Sequence, residues 1–588
     1  MFKCMGGFQL LRRLMGKLAS LQASWVRVDK VLLSSILLSL LLSAVLQVGL
    51  RVYQYSYDAF THIFFADHYR RSWFNLWEPR WYGGFSVASY PPLFHQLTAL
   101  LSFGFGVEAG YQLMAMLSTV LLTLSVYFFS RILVGAEEAS WSALVAAVFP
   151  SVSLLLNAFG QTPTLLSSAL ALLAAYAYSR YLREGLTRWL ASASLLTALS
   201  GVAHHFTFLF FVPVTQLIVL MGRLEDKRTA LKRTLIHLTL SVTLLLLALW
   251  PFIDFILSAP SWAEIPHGSR ENLLVGMFSF FFFWGTYGFT AFLLPLVVAI
   301  VFRRRSTLPA FTVFLLFLIL GLGGTTPIPK LLLGRLWSLL TYDRFAFWAS
   351  LLYIPFLSIL LNDAGVSVEK YCLGVEEVER RGGARKALVA SFIAGLAVVY
   401  VLIPAIMVCW GFSPKGPLDD RQLRLVAAFL DGESGWKYAT LGLGNQRVLL
   451  SSMTAAPTLD GGYNLAKTLP LLAYSGVESI DNAKYYAGGL DFLRRVLVEG
   501  SNYGLRFIVS ADPFYDNVLT EFGLKPLRVI PGEVPATVWE IPFAVPPSMN
   551  SIPHQNPLLQ LLWGLTPTLM FLAAVALAFL SVVKVLKG

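Results

Sequence analysis

Apolar runs long enough to cross a hydrocarbon core of about 30 Å recur along most of this chain. They fall at residues 31–52, 108–130, 139–157, 163–181, 188–203, 206–222, 234–257, 284–302, 307–324, 345–362, 387–410 and 557–583. That pattern predicts about twelve spans. The run PPLFHQLTALLSF (91–103) is apolar but short for a crossing, and reads as an interfacial or re-entrant helix. Between 411 and 556 hydropathy drops and the pattern changes to short alternating elements. RQLRLVAAFLDG, LDFLRRVLVEG and NVLTEFG have helical spacing, whereas YATLGLG, RVLLSSM, LRFIVSA and ATVWEIP read as strands. The predicted fold class is a polytopic α-helical membrane protein with a C-terminal α/β domain of about 140 residues before the last span.

Composition agrees with that class. The chain has 588 residues, 56% hydrophobic and only 13% charged, with a mean hydropathy of +0.66. One soluble core of that size is excluded. The net charge of +12 would suggest nucleic acid in a soluble protein. Here the charges sort by side instead. Lys3, Arg12, Arg13, Lys17, Arg27 and Lys30 precede the first run, and basic clusters return at 180–188, 223–233, 303–305 and 380–386. The alternate connections hold only Arg51, Arg70, Arg71, Arg80, Arg270, Lys330, Arg335 and Arg344. The positive-inside bias therefore predicts a multi-pass cell-membrane protein with both termini cytoplasmic. It puts the loop 53–107 and the 411–556 domain outside, and 363–386 inside. The first run follows a basic lead (1–30) without a small-x-small cleavage site, and reads as a retained anchor. The membrane part is then 31–410, and 557–588 supplies the final span with a short tail. Cys4, Cys372 and Cys409 are scattered and form neither a disulfide framework nor a metal knuckle.

Chemistry concentrates on the predicted outer side. YDAFTHIFFADHY (57–69) sets Asp58, His62, Asp67 and His68 just after the first run. In a helix Asp58 and His62 are four apart and share a face, the spacing of a metal-binding pair. Asp67 then falls on the opposite side and His68 about 80° away, so both join the site only if the helix breaks. The plainer alternative is a polar helix start, with Asp58 capping. Trp73, Trp77, Trp81 and Tyr82 suit an interfacial belt or sugar-stacking platforms. GVAHHFT (201–207) puts His204 and His205 at the outer end of a span, where ionisable groups are functional candidates. LLTYDRFAF (339–347) opens a span with Asp343 and Arg344. With Lys330 and Arg335 nearby, these could grip a lipid phosphate. Tyr90, Asn157, Gln161 and Glu264 carry no assignment from spacing alone.

The order of these features resembles the GT-C superfamily of integral membrane glycosyltransferases, which includes oligosaccharyltransferases, protein mannosyltransferases and aminoarabinose transferases. Within it, a prokaryotic group labelled with a 6-pyruvoyl-tetrahydropterin-synthase-related domain has a similar pattern. Its short motifs read here as Asp58-His62, Pro79-Arg80-Trp81, Tyr90-Pro91-Pro92-Leu93, His204 and Arg344-Phe345, with DGGYN (460–464) in the tail. The resemblance implies a GT-C-like bundle of about 12 spans. It also implies transfer of a sugar from a polyprenyl-phosphate-linked donor to an extracytoplasmic glycan, protein or lipid acceptor. Asp58 and His62 would be catalytic, and Asp67, His68, Tyr90, His204 and His205 additional site candidates. Arg344 and Arg335 would take the lipid phosphate. A divalent metal ion on Asp58 and His62 is one option. The chain departs from the family in having no D-x-D and no D-E pair in the first loop. Either His62 replaces the second carboxylate, Asp67 is brought round, or the chemistry needs no metal. Two other classes compete: a transporter or flippase, which predicts inverted repeats and polar midplane residues, and a non-catalytic envelope scaffold. No repeat is visible. Pterin chemistry, which needs a three-histidine site in a small barrel, has no counterpart here.

Overall fold

A leucine-rich run without charges can satisfy its backbone in hydrocarbon only as a helix, and these runs are helical. The computed structural model describes all residues except 1–28, 223–225, 259–262, 273–279, 373–381, 410–413, 468, 547–554 and 588. The basic lead up to Arg27, along with Arg223, Arg380 and Arg381, lies outside the described residues.

Seven described helices are long and apolar enough to cross a membrane, from Lys30–Gly49 to Pro557–Leu580, against the about twelve expected. An eighth arises if Ala136–Ala147 and Pro150–Ala158, bent by 41°, count as one span. The shortfall has a physical origin. Thr162–Glu184 and Thr187–Ala203 are helical, but rich in Ala, Ser and Thr, which favour close helix packing over hydropathy. Thr207–Met221 and Arg305–Gly321 are apolar but short.

Hydroxyls and amides stitch the helices together where the apolar drive is weak. Ser142 Oγ donates to Ser358 Oγ (2.8 Å), Ser153 Oγ to Tyr400 O (2.6 Å) and Gln47 Nε2 to Asn157 Oδ1 (2.7 Å). The run expected to be interfacial or re-entrant is a helix, Leu93–Ser102, with Leu93 to Ala99 buried. It packs against Ala59–Arg71 and Val107–Leu133.

The C-terminal block folds around a four-stranded sheet ordered Lys437–Leu441, Leu505–Ser510, Ala536–Glu540, Lys525–Ile530. The first pair is parallel and the others antiparallel. Two sequence readings fail here. RVLLSSM is not a strand but part of the helix Gln446–Met453, which buries Arg447, Val448 and Ser451 on one face. So short an apolar run carries no decisive period, and the Gly442–Gly444 turn decides it. KPLRVI is a strand that the pattern missed. It lies at the sheet edge with Lys525 to Val529 exposed, so no alternation marks it.

This block docks on the loop after the first span. Trp81 Nε1 donates to Ser451 Oγ (2.7 Å), Thr458 N to Arg80 O (2.7 Å) and Tyr463 N to Tyr82 Oη (3.1 Å). Gly461 and Gly462 permit the approach. A Cβ on Gly461 would fall 2.7 Å from Tyr82 Oη, and one on Gly462 2.3 Å from Thr61 Oγ1. The last helix closes the same layer through Trp563 Nε1 to Tyr69 Oη (2.7 Å) and Trp73 Nε1 to Gly564 O (2.8 Å).

The charge asymmetry predicts which side each surface faces. In a background lacking Cys4, Cys372 and Cys409, a cysteine at the exposed Tyr485 position should react with an impermeant maleimide on intact cells. One at the exposed Arg305 should react only after permeabilisation. Labelling of both from one side would overturn the orientation.

Candidate active site

Asp58 occupies the N-cap position of the helix Ala59–Arg71, yet its side chain caps no helix N–H. The backbone holds it instead. Tyr57 N and Asp58 N donate to Ala158 O and Phe159 O (both 3.0 Å), at the end of the π-helical turn Leu154–Ala158. Gly160, at φ +70°, makes this contact possible, because a Cβ there would fall 2.7 Å from Ala59 N. The carboxylate keeps some water-accessible surface but is enclosed by protein. Burial pushes its pKa up to about 7. The Arg344 charge pulls against that rise, while Glu478 and Asp343 add to it.

His62 follows one turn on, as the spacing predicts, and is buried. Its Nδ1 lies 3.1 Å from His95 Nε2. Burial, with His95 and Arg344 beside it, holds His62 well below the ordinary histidine range. Burial likewise brings His95 down to about 3. The pair is therefore a neutral imidazole dyad that shares a proton donor and an acceptor.

Tyr90 stands among these groups. Its ring centroid lies 5.7 Å from His62, 5.1 Å from His95, 5.0 Å from Tyr463 and 6.4 Å from His205. His204 turns into the helix packing, with Nδ1 2.9 Å from Thr207 Oγ1 and Nε2 3.5 Å from Thr164 Oγ1. Arg344 hydrogen-bonds Thr341 Oγ1 and lies 5.9 Å from the Phe206 ring, and its Nε is buried without a hydrogen-bond partner. Its charge acts on Asp58, His62, Tyr90 and Tyr463 alike. One cation thus acts on a cluster of polar and aromatic side chains drawn from distant parts of the chain.

Not every expected residue joins. Asp67 and His68 belong to a separate buried network, because the helix does not break between them and His62. Arg80 Nη1 donates to Asp67 (2.7 Å), while its Nε and Nη2 donate to the two oxygens of Glu78 (2.9 and 2.8 Å). His68 Nδ1 meets Glu78 at 3.0 Å and Arg71 Nε meets Asp67 at 2.7 Å. Burial would raise the Glu78 carboxyl, but hydrogen bonds from Arg80 and His68 hold it well below the usual range. Trp81, a candidate sugar platform, is instead fully buried and stacked on Phe64 at 3.7 Å. Arg335 is exposed, and the charges acting on Asp58 come from Arg344, Glu478 and Asp343 rather than from it.

The metal option finds no matching donor set. Among the described residues no three of His, Cys, Asp or Glu are grouped to hold an ion, and Nδ1 of His62 faces His95. Sequence reasoning missed His95, Tyr463 and Glu478. His95 was hidden inside an apolar run, where its only signal was a histidine among leucines. Tyr463 lies in the DGGYN motif, which takes no role from sequence alone, and Glu478 carries no local signal; the fold brings their charges and rings toward Asp58.

Residues 89–253 match the family described as dolichyl-phosphate-mannose-protein mannosyltransferase. No curated protein matches the chain in sequence. Among solved structures, ArnT from Cupriavidus metallidurans bound to undecaprenyl phosphate superposes with a TM-score of 0.53 at 12% identity. That match covers 88% of this chain and 98% of ArnT. The Archaeoglobus fulgidus oligosaccharyltransferase in its apo form gives 0.52 at 12% identity, covering 84% of this chain and 72% of that one. Arabinofuranosyltransferase AftD from Mycobacteria gives 0.54 at 14%, covering 87% of this chain and 40% of AftD. The chain therefore has the GT-C fold.

The ionic network yields a stability prediction. Arg80→Met leaves two buried carboxylates without their shared partner, a loss of about 3–5 kcal/mol. Thermal unfolding in detergent should show a marked fall in Tm or in folded yield. Asp67→Asn, which keeps the Arg80–Glu78 fork, should cost less.

Proposed function

We propose that the protein is a membrane glycosyltransferase that moves a sugar from a polyprenyl-phosphate carrier to an extracytoplasmic hydroxyl acceptor. The observation that carries this reading is a carboxylate enclosed by protein, Asp58, held within the field of one cation, Arg344, in a bundle with the GT-C fold. Asp58 is the general base and Arg344 the charge that receives the lipid phosphate. The solved relative with undecaprenyl phosphate bound supports a lipid-linked donor. Extracytoplasmic donors need such a carrier, because nucleotide sugars are cytoplasmic. The bundle crosses the membrane about twelve times, with the α/β domain outside. Its short motifs ally it with the prokaryotic group labelled as 6-pyruvoyl-tetrahydropterin-synthase-related, though the proposed chemistry involves no pterin.

In the reaction the acceptor O–H gives its proton to the Asp58 carboxylate as its oxygen attacks the anomeric carbon. The bond from that carbon to the phosphate oxygen breaks, and the electron pair leaves with the lipid phosphate. Arg344, fixed before reaction and partly desolvated, stabilises the charge that develops there. His62 and His95 line the wall behind Asp58 as neutral groups, so they add no cation that would draw the donor phosphate away from Arg344. Tyr90 and Tyr463 pack against each other beside the histidine pair, and as apolar cover they limit loss of the sugar by hydrolysis.

Three measurements test this. Transfer from a labelled polyprenyl-linked sugar in a membrane fraction should fall by at least about 100-fold in Asp58→Asn, at unchanged expression. Near-normal transfer in that variant would overturn the assignment. The pH profile gives the sign. A base held at about 7 is mostly protonated below that pH, so transfer should rise as pH passes through 7. In Asp58→Asn that rising limb should be absent. Arg344→Leu should raise the KM for the lipid donor as well as lower kcat, as expected of a group that binds the phosphate in both ground and transition states.

A further inference from the structure

The strand Lys437–Leu441 ends in the turn Gly442-Leu443-Gly444-Asn445. Both glycines have positive φ, +77° and +56°, and a Cβ on Gly444 would fall 2.4 Å from Pro414 O. Only glycine fits such a turn. The turn is braced from three sides. The Asp481 carboxylate accepts from Leu443 N (2.9 Å) and Gly444 N (2.8 Å). Asn445 N donates to Pro414 O (2.8 Å), and Arg447 Nη1 donates to Gly444 O (2.9 Å).

From this braced turn the Asn445 side chain reaches the membrane part. Its Nδ2 donates to Ser56 O (2.9 Å) and to Tyr57 O (2.6 Å). These are the two carbonyls immediately before Asp58. The N–H groups of Tyr57 and Asp58 are already taken by Ala158 O and Phe159 O. The short segment is therefore held on both edges, its N–H groups by the helix bundle and its carbonyls by the α/β domain. Asp58 makes no capping bond of its own, so the direction of its carboxylate follows from where this backbone is held.

We infer that Asn445 is a positioning residue: through Ser56 and Tyr57 it fixes the backbone that aims the Asp58 carboxylate, and so makes the α/β domain part of the catalytic apparatus. This inference rests on the reading of Asp58 as the base. Other bonds across the interface, among them those at Tyr55, Thr61, Arg80, Trp81 and Tyr82, dock the domain but do not touch the backbone of the 56–58 segment. Loss of Asn445 leaves the domain docked and the segment free on one edge. An error of about 1 Å at a reacting group can cost about 100-fold in rate.

The experiment uses the full chain in lipid nanodiscs and reads amide hydrogen exchange with single-residue resolution. Asn445→Ala should speed exchange at Tyr57 and Asp58 by about tenfold or more. Exchange in the domain core at Leu423 and Val426 should stay at the wild-type rate, which establishes that the domain remains folded. Asn445→Asp, of the same shape but with no donor, should behave as Asn445→Ala. Ser451→Ala, which removes the Trp81 partner from the same interface, should leave Tyr57 and Asp58 at the wild-type rate. With dolichyl-phosphate mannose as donor and membrane vesicles as acceptor, Asn445→Ala should lower kcat by about 10- to 100-fold at unchanged donor KM. In an Asp58→Asn background the same change should add nothing. Wild-type exchange in Asn445→Ala, or equal acceleration in Ser451→Ala, would overturn the inference. So would an unchanged kcat in Asn445→Ala where Asp58→Asn is inactive. Full transfer by Asp58→Asn would instead sink the assignment of the base, and the exchange data would still judge the clamp.

Discussion

The Arg80 guanidinium, donating to Asp67 on one side and to both oxygens of Glu78 on the other, is the contact on which the layer between the helix bundle and the C-terminal domain depends. Its surroundings are dry, with the Phe64 ring 4.4 Å away and Trp81 stacked beyond it. In such a place a charge persists only if all its donors are used and its countercharges are fixed. That requirement sets the path of residues 78–82. Their outward-facing groups then dock the distant domain: Arg80 through its carbonyl, Trp81 through its indole and Tyr82 through its hydroxyl. An ionic cluster that takes no part in the proposed chemistry thus determines where the chemistry can be assembled.

The fold was largely legible from the run of apolar residues, because a membrane leaves helices as the one available solution for a single apolar segment. The pattern was least informative where packing, rather than hydropathy, stabilises a helix. Thr162–Glu184 is buried along most of its length, and its leucines are interspersed with Ala, Ser, Thr and Tyr, so the run at 163–181 falls short of a span's hydropathy although the pattern marks it. In the soluble block, Gln446–Met453 deceived for the opposite reason. Its apolar content was clear, but seven residues are too few to distinguish a period of two from one of 3.6.

The candidate site was legible in part. Asp58 and His62 declared themselves by their four-residue spacing, and Arg344 by its place at a span entrance. Helix geometry also separated Asp67 from them correctly, and the ionic network gives the physical reason. His95 was not legible, because one titratable group in an apolar helix looks the same whether it packs against a neighbour or faces a chamber. Tyr463 was marked only as part of DGGYN, and Asn445 was beyond any local reading, since the meaning of both arises from contact with residues almost 400 positions earlier. Local pattern identifies the groups that lie on the supporting helices. It says nothing of those contributed by a domain that folds elsewhere and then docks.

That separation along the chain has a consequence for biogenesis. Asp58 leaves the ribosome early, whereas Asn445 and Tyr463 follow after most of the membrane helices. A partly synthesised chain therefore has the Asp58 carboxylate without the Arg344 charge that acts on it or the Asn445 hydrogen bonds to Ser56 and Tyr57. On the proposed function, transfer awaits folding of the C-terminal domain, so the proposed base stays idle while the chain is still being made. The order of synthesis itself acts as a safeguard.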